Sequence, residues 1–464
     1  CAPASAQTNY TTYHFDNARD GWNNTERTLY QGVVPRIAQY GTTAVGAQVD
    51  AQPLYLSSEY ITSKGGYYST AYVATEANTI FAISPSNGAI LWSRNYGQPV
   101  DYSLVNYCSN TAPLIGIGGT PVIDTATDTM YFVTLATEVV GRNRWQRYRL
   151  HAISPRDGTE KMSTLITSNG PPFYPLYQRQ RAALLESNGM IYVSFGSFCD
   201  FSADISYGRV FAYSAATLQQ QAEFVTTSYA PCGGFRLGSL WGSGFGPAAD
   251  VGGNLYFATG NGCIAYNNGG SGNGAYSQAV VKLTPQLQFL SNVSTLFAPC
   301  SASPESGGDQ DLSSGGVVLL PDQSGSYAHL AVAGGKAGTT YVLNRDYLGG
   351  YNPSCPTNYD VYEAMTSIPH AADGGLFGGP AVFKQSDGVT YMAVGGSGSL
   401  GLRSYSFNAN GSFTQAAAAG GTLSGTGGAA PIVTSDGTAP GSMVLWLLTR
   451  PNGIAVWNDL DTLE

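Results

Sequence analysis

Charge is what this sequence has least of: only 11% of its 464 residues are Asp, Glu, Lys or Arg, against about a quarter in an ordinary soluble domain. The solvent face must therefore be built from neutral polar groups and tyrosine. No Lys/Arg cluster stands out and the net charge is −9, which argues against nucleic acid and anionic membrane as partners, since both demand a basic footprint. Long apolar runs are missing too. The longest pieces, such as residues 443–448, fall far short of the roughly 18 residues of a transmembrane helix. Helical periodicity is absent over any useful length, which removes α/β folds. There is no CxxC pair, no Cys/His cluster at metal-site spacing, no CxxCH, no GxSxG and no HExxH, so zinc sites, attached haem and the familiar hydrolases have nothing to stand on. His14, His151, His329 and His370 share no motif.

Glycine (59) and tyrosine (31) are abundant, and there are seven cysteines. At least two disulfides are expected among Cys108, Cys199, Cys232, Cys263, Cys300 and Cys355, because oxidising compartments favour pairing. An odd count leaves one cysteine apart. Cys1, ahead of the first strand and with no signal peptide before it, is expected to carry a lipid or to bond a partner molecule. Sequons at Asn9, Asn23, Asn292 and Asn410 agree with a secreted or cell-surface protein, extracellular or periplasmic.

A recurrent element sets the fold. Small residues or Pro lead into an apolar strand and then a polar turn, at residues 50–59, 118–127, 181–189, 244–253, 315–325, 378–388 and 428–437. Second and third strands follow most copies, as in residues 129–134 and 149–154. A four-stranded meander repeated radially is a propeller blade. The expected fold is all-β, a single β-propeller of four-stranded antiparallel blades, seven in number with eight as the alternative. The last repeat leaves room for three strands only. The segment 1–46 is therefore expected to supply a ring-closing strand, near residues 35–42, to a propeller spanning 47–464, and closure removes the exposed sheet edge.

The stretch from Phe81 to Trp92, FAISPSNGAILW, resembles the blade motif of pyrroloquinoline-quinone (PQQ) propellers, in which Ala82, Gly88 and Trp92 dock one blade on the next. Residues 150–162 keep Ala152 and Gly158. A longer resemblance, over residues 118–350, is to the PQQ alcohol dehydrogenases. It implies Trp241 as the floor beneath a quinone, Asn261 and Asp200 as calcium ligands, Asp309 and Asp311 on the catalytic-base loop, and Lys336 touching the quinone. The sequence departs from that family where Cys108 stands without a vicinal partner, and where Asp200 replaces a Glu, shifted and one methylene shorter. Those departures, with the low charge and the tyrosine excess, point to a non-catalytic recognition or assembly module. Its partners would be glycans, other extracellular proteins or copies of itself; no cofactor is expected and PQQ should not be retained. The alternative is a PQQ- and calcium-dependent dehydrogenase of an alcohol or sugar.

Overall fold

The computed structural model describes residues 8–457, apart from 39–40, 107, 109–112, 229–231, 267–271, 291–294, 324–326, 355–365, 369–373, 397–401, 408–412, 420–429 and 450–452. Its strands form seven blades around one channel. Blade 1 is Leu54–Ile61, Gly66–Ala74, Thr79–Ile83 and Ile90–Asn95, paired antiparallel in that order from the axis outward. The inner strands of blades 2 to 7 are Val122–Asp124, Leu185–Ser187, Ala248–Ala249, Val317–Leu319, Ala381–Lys384 and Ile432–Thr434. Each lies inside one of the seven repeats. Among the described residues no helix is long and apolar enough to cross a membrane.

Blade docking follows the expected motif. Trp92 is buried, and its Nε1 donates to the Pro155 carbonyl of blade 2 at 3.0 Å. Its ring lies over Gly158, where a Cβ would come within 2.8 Å of it and the backbone sits at φ +70°. Only glycine accepts both the close approach and that conformation. The core consists of such inter-blade layers, filled by Val, Leu, Phe and Tyr from neighbouring sheets.

The N-terminal segment closes the ring, but not where the sequence suggested. Residues 35–42 were expected as the missing strand, yet Pro35 lies in a 3-10 turn, Gln31–Arg36, and the described residues beyond it form no strand. Pro cannot donate to a ladder, which suits the turn. The closing strand is Trp22–Asn23, which pairs parallel with Val433 and Thr434 on the axial side of blade 7.

Before reaching blade 7, the segment visits every other blade in turn. Tyr10 exchanges two 2.8 Å backbone bonds with Tyr55, and the Thr11 carbonyl accepts from Ile123 N–H. Asn17 Nδ2 donates to the Glu186 carbonyl. The carbonyls of Asn17, Ala18, Asp20 and Gly21 then accept from the N–H groups of Ala249, Leu319, Val382 and Val433, on blades 4, 5, 6 and 7, at 2.8–2.9 Å. At the centre of this loop Arg19 is fully buried, and among the described residues no carboxylate is bonded to it. Its guanidinium donates to the carbonyls of Tyr13 (2.8 Å), Leu184 (3.0 Å) and Pro247 (3.2 Å), and to Thr12 Oγ1 (2.6 Å). Tyr13 and His14 pack on Phe245, with ring centroids 4.9 and 4.7 Å away. These rings fill the axis.

Two disulfides, Cys108–Cys199 and Cys232–Cys263, join connecting segments, and Cys300 is also disulfide-bonded. Cys1 and Cys355 lie outside the described residues. Asn9 is exposed, whereas Asn23 is buried and its Nδ2 donates to Tyr10 Oη at 2.7 Å. Asn292 and Asn410 lie outside the described residues.

Candidate functional site

Successive strands in a blade alternate in direction, so every second strand runs toward the same end of the channel. The second strands of blades 3, 4 and 5, Met190–Ser197, Leu255–Ala258 and Leu330–Gly334, deliver Asp200, Asn261 and Lys336 there. Asp309 and Asp311 come from the connection into blade 5, between the short helix Ala302–Gly307 and the 3-10 turn Leu312–Ser314. Trp241 comes from the connection into blade 4, at the start of the 3-10 turn Gly242–Gly244. Six residues spread over about 140 positions thus meet at one mouth.

The contacts are specific. Lys336 Nζ donates to Asp309 Oδ1 at 2.9 Å and to Asp311 Oδ2 at 2.6 Å. The Asn261 backbone N–H donates to Asp311 Oδ1 (2.8 Å), and its Nδ2 to Asp309 Oδ1 (2.7 Å). Asp200 Oδ1 accepts from Ser197 Oγ, which itself accepts from Asp200 N–H at 3.0 Å. One carboxylate oxygen from each of Asp200, Asp309 and Asp311 lies within 4.8 Å of the others. That is the spread of oxygens around a single hard cation at about 2.4 Å from each.

Electrostatics reflects the crowding. Burial pushes the Asp200 carboxyl up to about 6 against the Ser197 hydrogen bond, and the charges of Asp311 and Asp309 add to the rise. Burial also raises Asp311, opposed by Lys336 and the Asn261 N–H. Burial works against the Lys336 ammonium, but Asp311 and Asp309 outweigh it and lift its pKa. The backbone is strained here as well. Cys199, Asp200 and Asp309 hold φ values of 51°, 55° and 56°, a left-handed conformation that costs a non-glycine residue on the order of 1–2 kcal/mol. Cys108–Cys199 anchors the first of these turns directly beside Asp200.

Trp241 is buried, and its indole Nε1 has no hydrogen-bond partner among the described residues. Glycines make room for the ring. A Cβ on Gly196 would lie 3.4 Å from Trp241 Cε3, and one on Gly260 would lie 3.1 Å from Cδ1 and 2.2 Å from Asp311 Oδ1. The indole and the carboxylate centre therefore flank Gly260.

All six residues singled out by the resemblance lie together. Two others belong with them and were missed. Gln278 is buried, with Nε2 donating to Asn261 Oδ1 (3.3 Å) and the Gln310 carbonyl (2.9 Å), while Oε1 accepts from Leu312 N–H (2.7 Å). It ties the asparagine to the aspartate loop, and nothing in its neighbourhood, GAYSQAVVKL, signals that. Ser197 is the other, hidden in an ordinary strand end.

No family model and no curated protein sequence matches the chain. Solved structures do. A quinohemoprotein alcohol dehydrogenase from Comamonas testosteroni aligns over 100% of this chain and 73% of its own, with TM-score 0.63 and 13% identity. One from Pseudomonas putida aligns over 98% and 71%, with TM-score 0.61 and 12% identity. A europium-containing methanol dehydrogenase aligns over 97% and 83%, with TM-score 0.59 and 13% identity. At such identities the likeness is one of fold, and by that measure this seven-bladed chain has the β-propeller fold of the quinoprotein alcohol and methanol dehydrogenases.

Proposed function

We propose that the channel mouth is the active site of a quinone-dependent, cation-assisted oxidoreductase acting on an alcohol. The observation that carries this reading is the convergence of three carboxylates within one ion's reach beside a tryptophan set between two glycines. The three carboxylates offer the oxygen that a hard cation such as Ca²⁺ requires, the Lys336 ammonium already answers part of their charge, and the crowding that raises Asp200 is what a bound cation relieves. Asp200 and Asp309 would hold the ion, with the Asn261 amide alongside and Asp311 left to act as base. Trp241 would carry the quinone, for which Gly196 and Gly260 keep the ring uncluttered. When bound, the pair would supply an electron acceptor and a positive charge on its carbonyl oxygen.

The chain's own residues supply the rest. Asp311 Oδ2 takes the substrate hydroxyl proton as a general base. Lys336 holds that carboxylate in its ionised form and keeps it pointed into the mouth, since the ammonium bridges Asp309 and Asp311. The disulfide beside Asp200 ties its loop to the segment holding Cys108. The disulfides also favour an oxidising location outside the cytoplasm.

The test is reconstitution with calcium and PQQ, followed by desalting and a dye-linked assay on simple alcohols. Stoichiometric quinone retention is expected, lost on Trp241→Ala, with turnover lost on Asp311→Asn while retention persists. Absence of retention by the native chain would sink the reading. The recognition module expected from composition is the second reading, and a specific observation favours it. Phe201 and Phe235 are 54% and 43% exposed on loops of the same face.

A further inference from the structure

Gln278 holds a strained position. It is wholly buried on the connection between the strands Gly272–Tyr276 and Val280–Leu283, and its backbone sits at φ 53°, in the left-handed region that L side chains avoid. Such strain persists only where the surroundings over-determine it, and a buried amide must find partners. The side chain has them. Oε1 accepts from Leu312 N–H at 2.7 Å, and Nε2 donates to the Gln310 carbonyl at 2.9 Å. A backbone N–H can only donate and a carbonyl can only accept, so these two partners fix which end of the amide is oxygen and which is nitrogen. The Gln278 N–H also donates to the Gly260 carbonyl at 2.9 Å. Gln278 thus grips the residue ahead of Asn261 with its main chain, and the loop of Asp309 and Asp311 with its side chain.

The fixed amide in turn fixes its neighbour. Gln278 Nε2 donates to Asn261 Oδ1 at 3.3 Å, so the Asn261 amide presents oxygen to Gln278 and nitrogen to its other side. There Nδ2 donates to Asp309 Oδ1 at 2.7 Å, an oxygen that also accepts from Lys336 Nζ at 2.9 Å. An ionised carboxylate only accepts, so this second contact demands the same orientation independently. The main chain of Asn261 is committed as well. Its N–H donates to Asp311 Oδ1 at 2.8 Å, and its carbonyl accepts from Gly238 N–H at 2.7 Å. Turning the amide over would set NH₂ against NH₂ at Gln278 and oxygen against carboxylate at Asp309. With Asn261 only 5% exposed, solvent does little to relieve either contact. A cation held by Asp200 and Asp309 therefore meets the nitrogen end of this amide. The resemblance made Asn261 a calcium ligand, which requires the oxygen end.

We propose that Gln278 is a positioning residue that locks Asn261 as a donor to Asp309. Asn261 then sets the direction of that carboxylate and competes with a cation for its Oδ1, instead of coordinating the ion. The lock stands on hydrogen bonds alone, whereas its effect on a cation rests on the reading of the channel mouth as a cation site.

The test pairs calorimetric titration of the full chain with calcium and a side-chain amide spectrum by nuclear magnetic resonance. Gln278→Met frees Asn261 to turn its oxygen to the ion, so calcium should bind about tenfold tighter through the added ligand. The variant should also melt earlier, because the Gln310 carbonyl and Leu312 N–H lose their partner. Asn261→Ala removes the competitor for Asp309 Oδ1 and should likewise tighten calcium; it carries the titration alone if Gln278→Met does not fold. A liganding asparagine predicts the opposite sign in both variants, so weaker calcium binding in either overturns the proposal. The spectrum is taken in EDTA on protein isotope-labelled at asparagine nitrogen. The NH₂ signal that vanishes in Asn261→Ala should lie downfield in the native chain and move upfield in Asp309→Ala. A signal indifferent to Asp309→Ala overturns the lock whether or not calcium binds. A native chain that binds no calcium while this signal responds keeps the lock and sinks only the cation reading.

Discussion

Glu76 sits in the channel wall almost without exposure. Its Oε2 accepts from Gly116 N–H at 2.6 Å, and its Oε1 is 3.9 Å from Arg179. Burial pushes its carboxyl up to about 7; Arg179 and the Gly116 N–H oppose the rise, and the charge of Asp50 adds to it. The folded state therefore binds this proton more tightly than the unfolded chain, whose value is the ordinary 4.5. The resulting stabilisation is full below about pH 4.5 and is lost as pH rises through 7, with an upper size on the order of 3 kcal/mol. Glu76→Gln keeps the acceptor for Gly116 and removes the titration. Relative to the native chain, its melting temperature should change less between pH 5 and 7.5. Parallel curves for the two proteins would contradict this assignment.

At the same scale, the site was legible wherever one residue type sits in a compact local motif. Trp241, Asn261, Asp309, Asp311 and Lys336 each lie in a glycine-rich stretch that fixes where the side chain emerges. Asp200 was legible in place but not in reach. Its carboxylate is a methylene shorter than Glu, and only the left-handed turn at Cys199 and Asp200 brings it to the other two. Spacing alone does not encode that turn, nor the pairing of Cys108 with Cys199.

Among the elements, the repeats located all seven inner strands because each combines small residues, an apolar run and a turn. The closing strand escaped because two residues carry no alternation, and because its pairing is parallel to the axial edge of blade 7. The disulfide between Cys108 and Cys199 is an element-level restraint. It closes a loop of 91 residues, for which chain entropy gives roughly 4.6 kcal/mol. A double Cys→Ala variant should melt earlier yet remain a propeller by circular dichroism, and should bind calcium more weakly in titration calorimetry. Unchanged calcium affinity would detach the disulfide from the site. Arg19 gives a second test. Arg19→Ala strands the carbonyls of Tyr13, Leu184 and Pro247 in the interior, at about 1–3 kcal/mol for each buried polar group left unpaired. Chemical denaturation should register a loss above about 3 kcal/mol, far more than any surface arginine produces.

For the whole molecule, the N-terminal segment acts on all seven blades at once, so its removal is not equivalent to losing one strand. A chain lacking residues 8–24 should unfold with a broader, lower transition. A synthetic peptide of that sequence should restore part of the lost stability, because its bonds to the inner strands are made mostly by its backbone. If the truncated chain melts like the native one, the segment is an accessory and blades 1 and 7 hold each other unaided.

Because Trp22 pairs with Val433, this segment cannot reach its final place until a strand about 400 positions further along the chain has been made. At about 5–20 residues per second, some 400 residues of synthesis keep it waiting for tens of seconds. During that interval the inner edges of blades already formed lack the carbonyls that will cover them, and such edges recruit foreign strands. Chains are therefore exposed to misassembly until the strand holding Val433 has been made and the segment has taken its place along the inner edges.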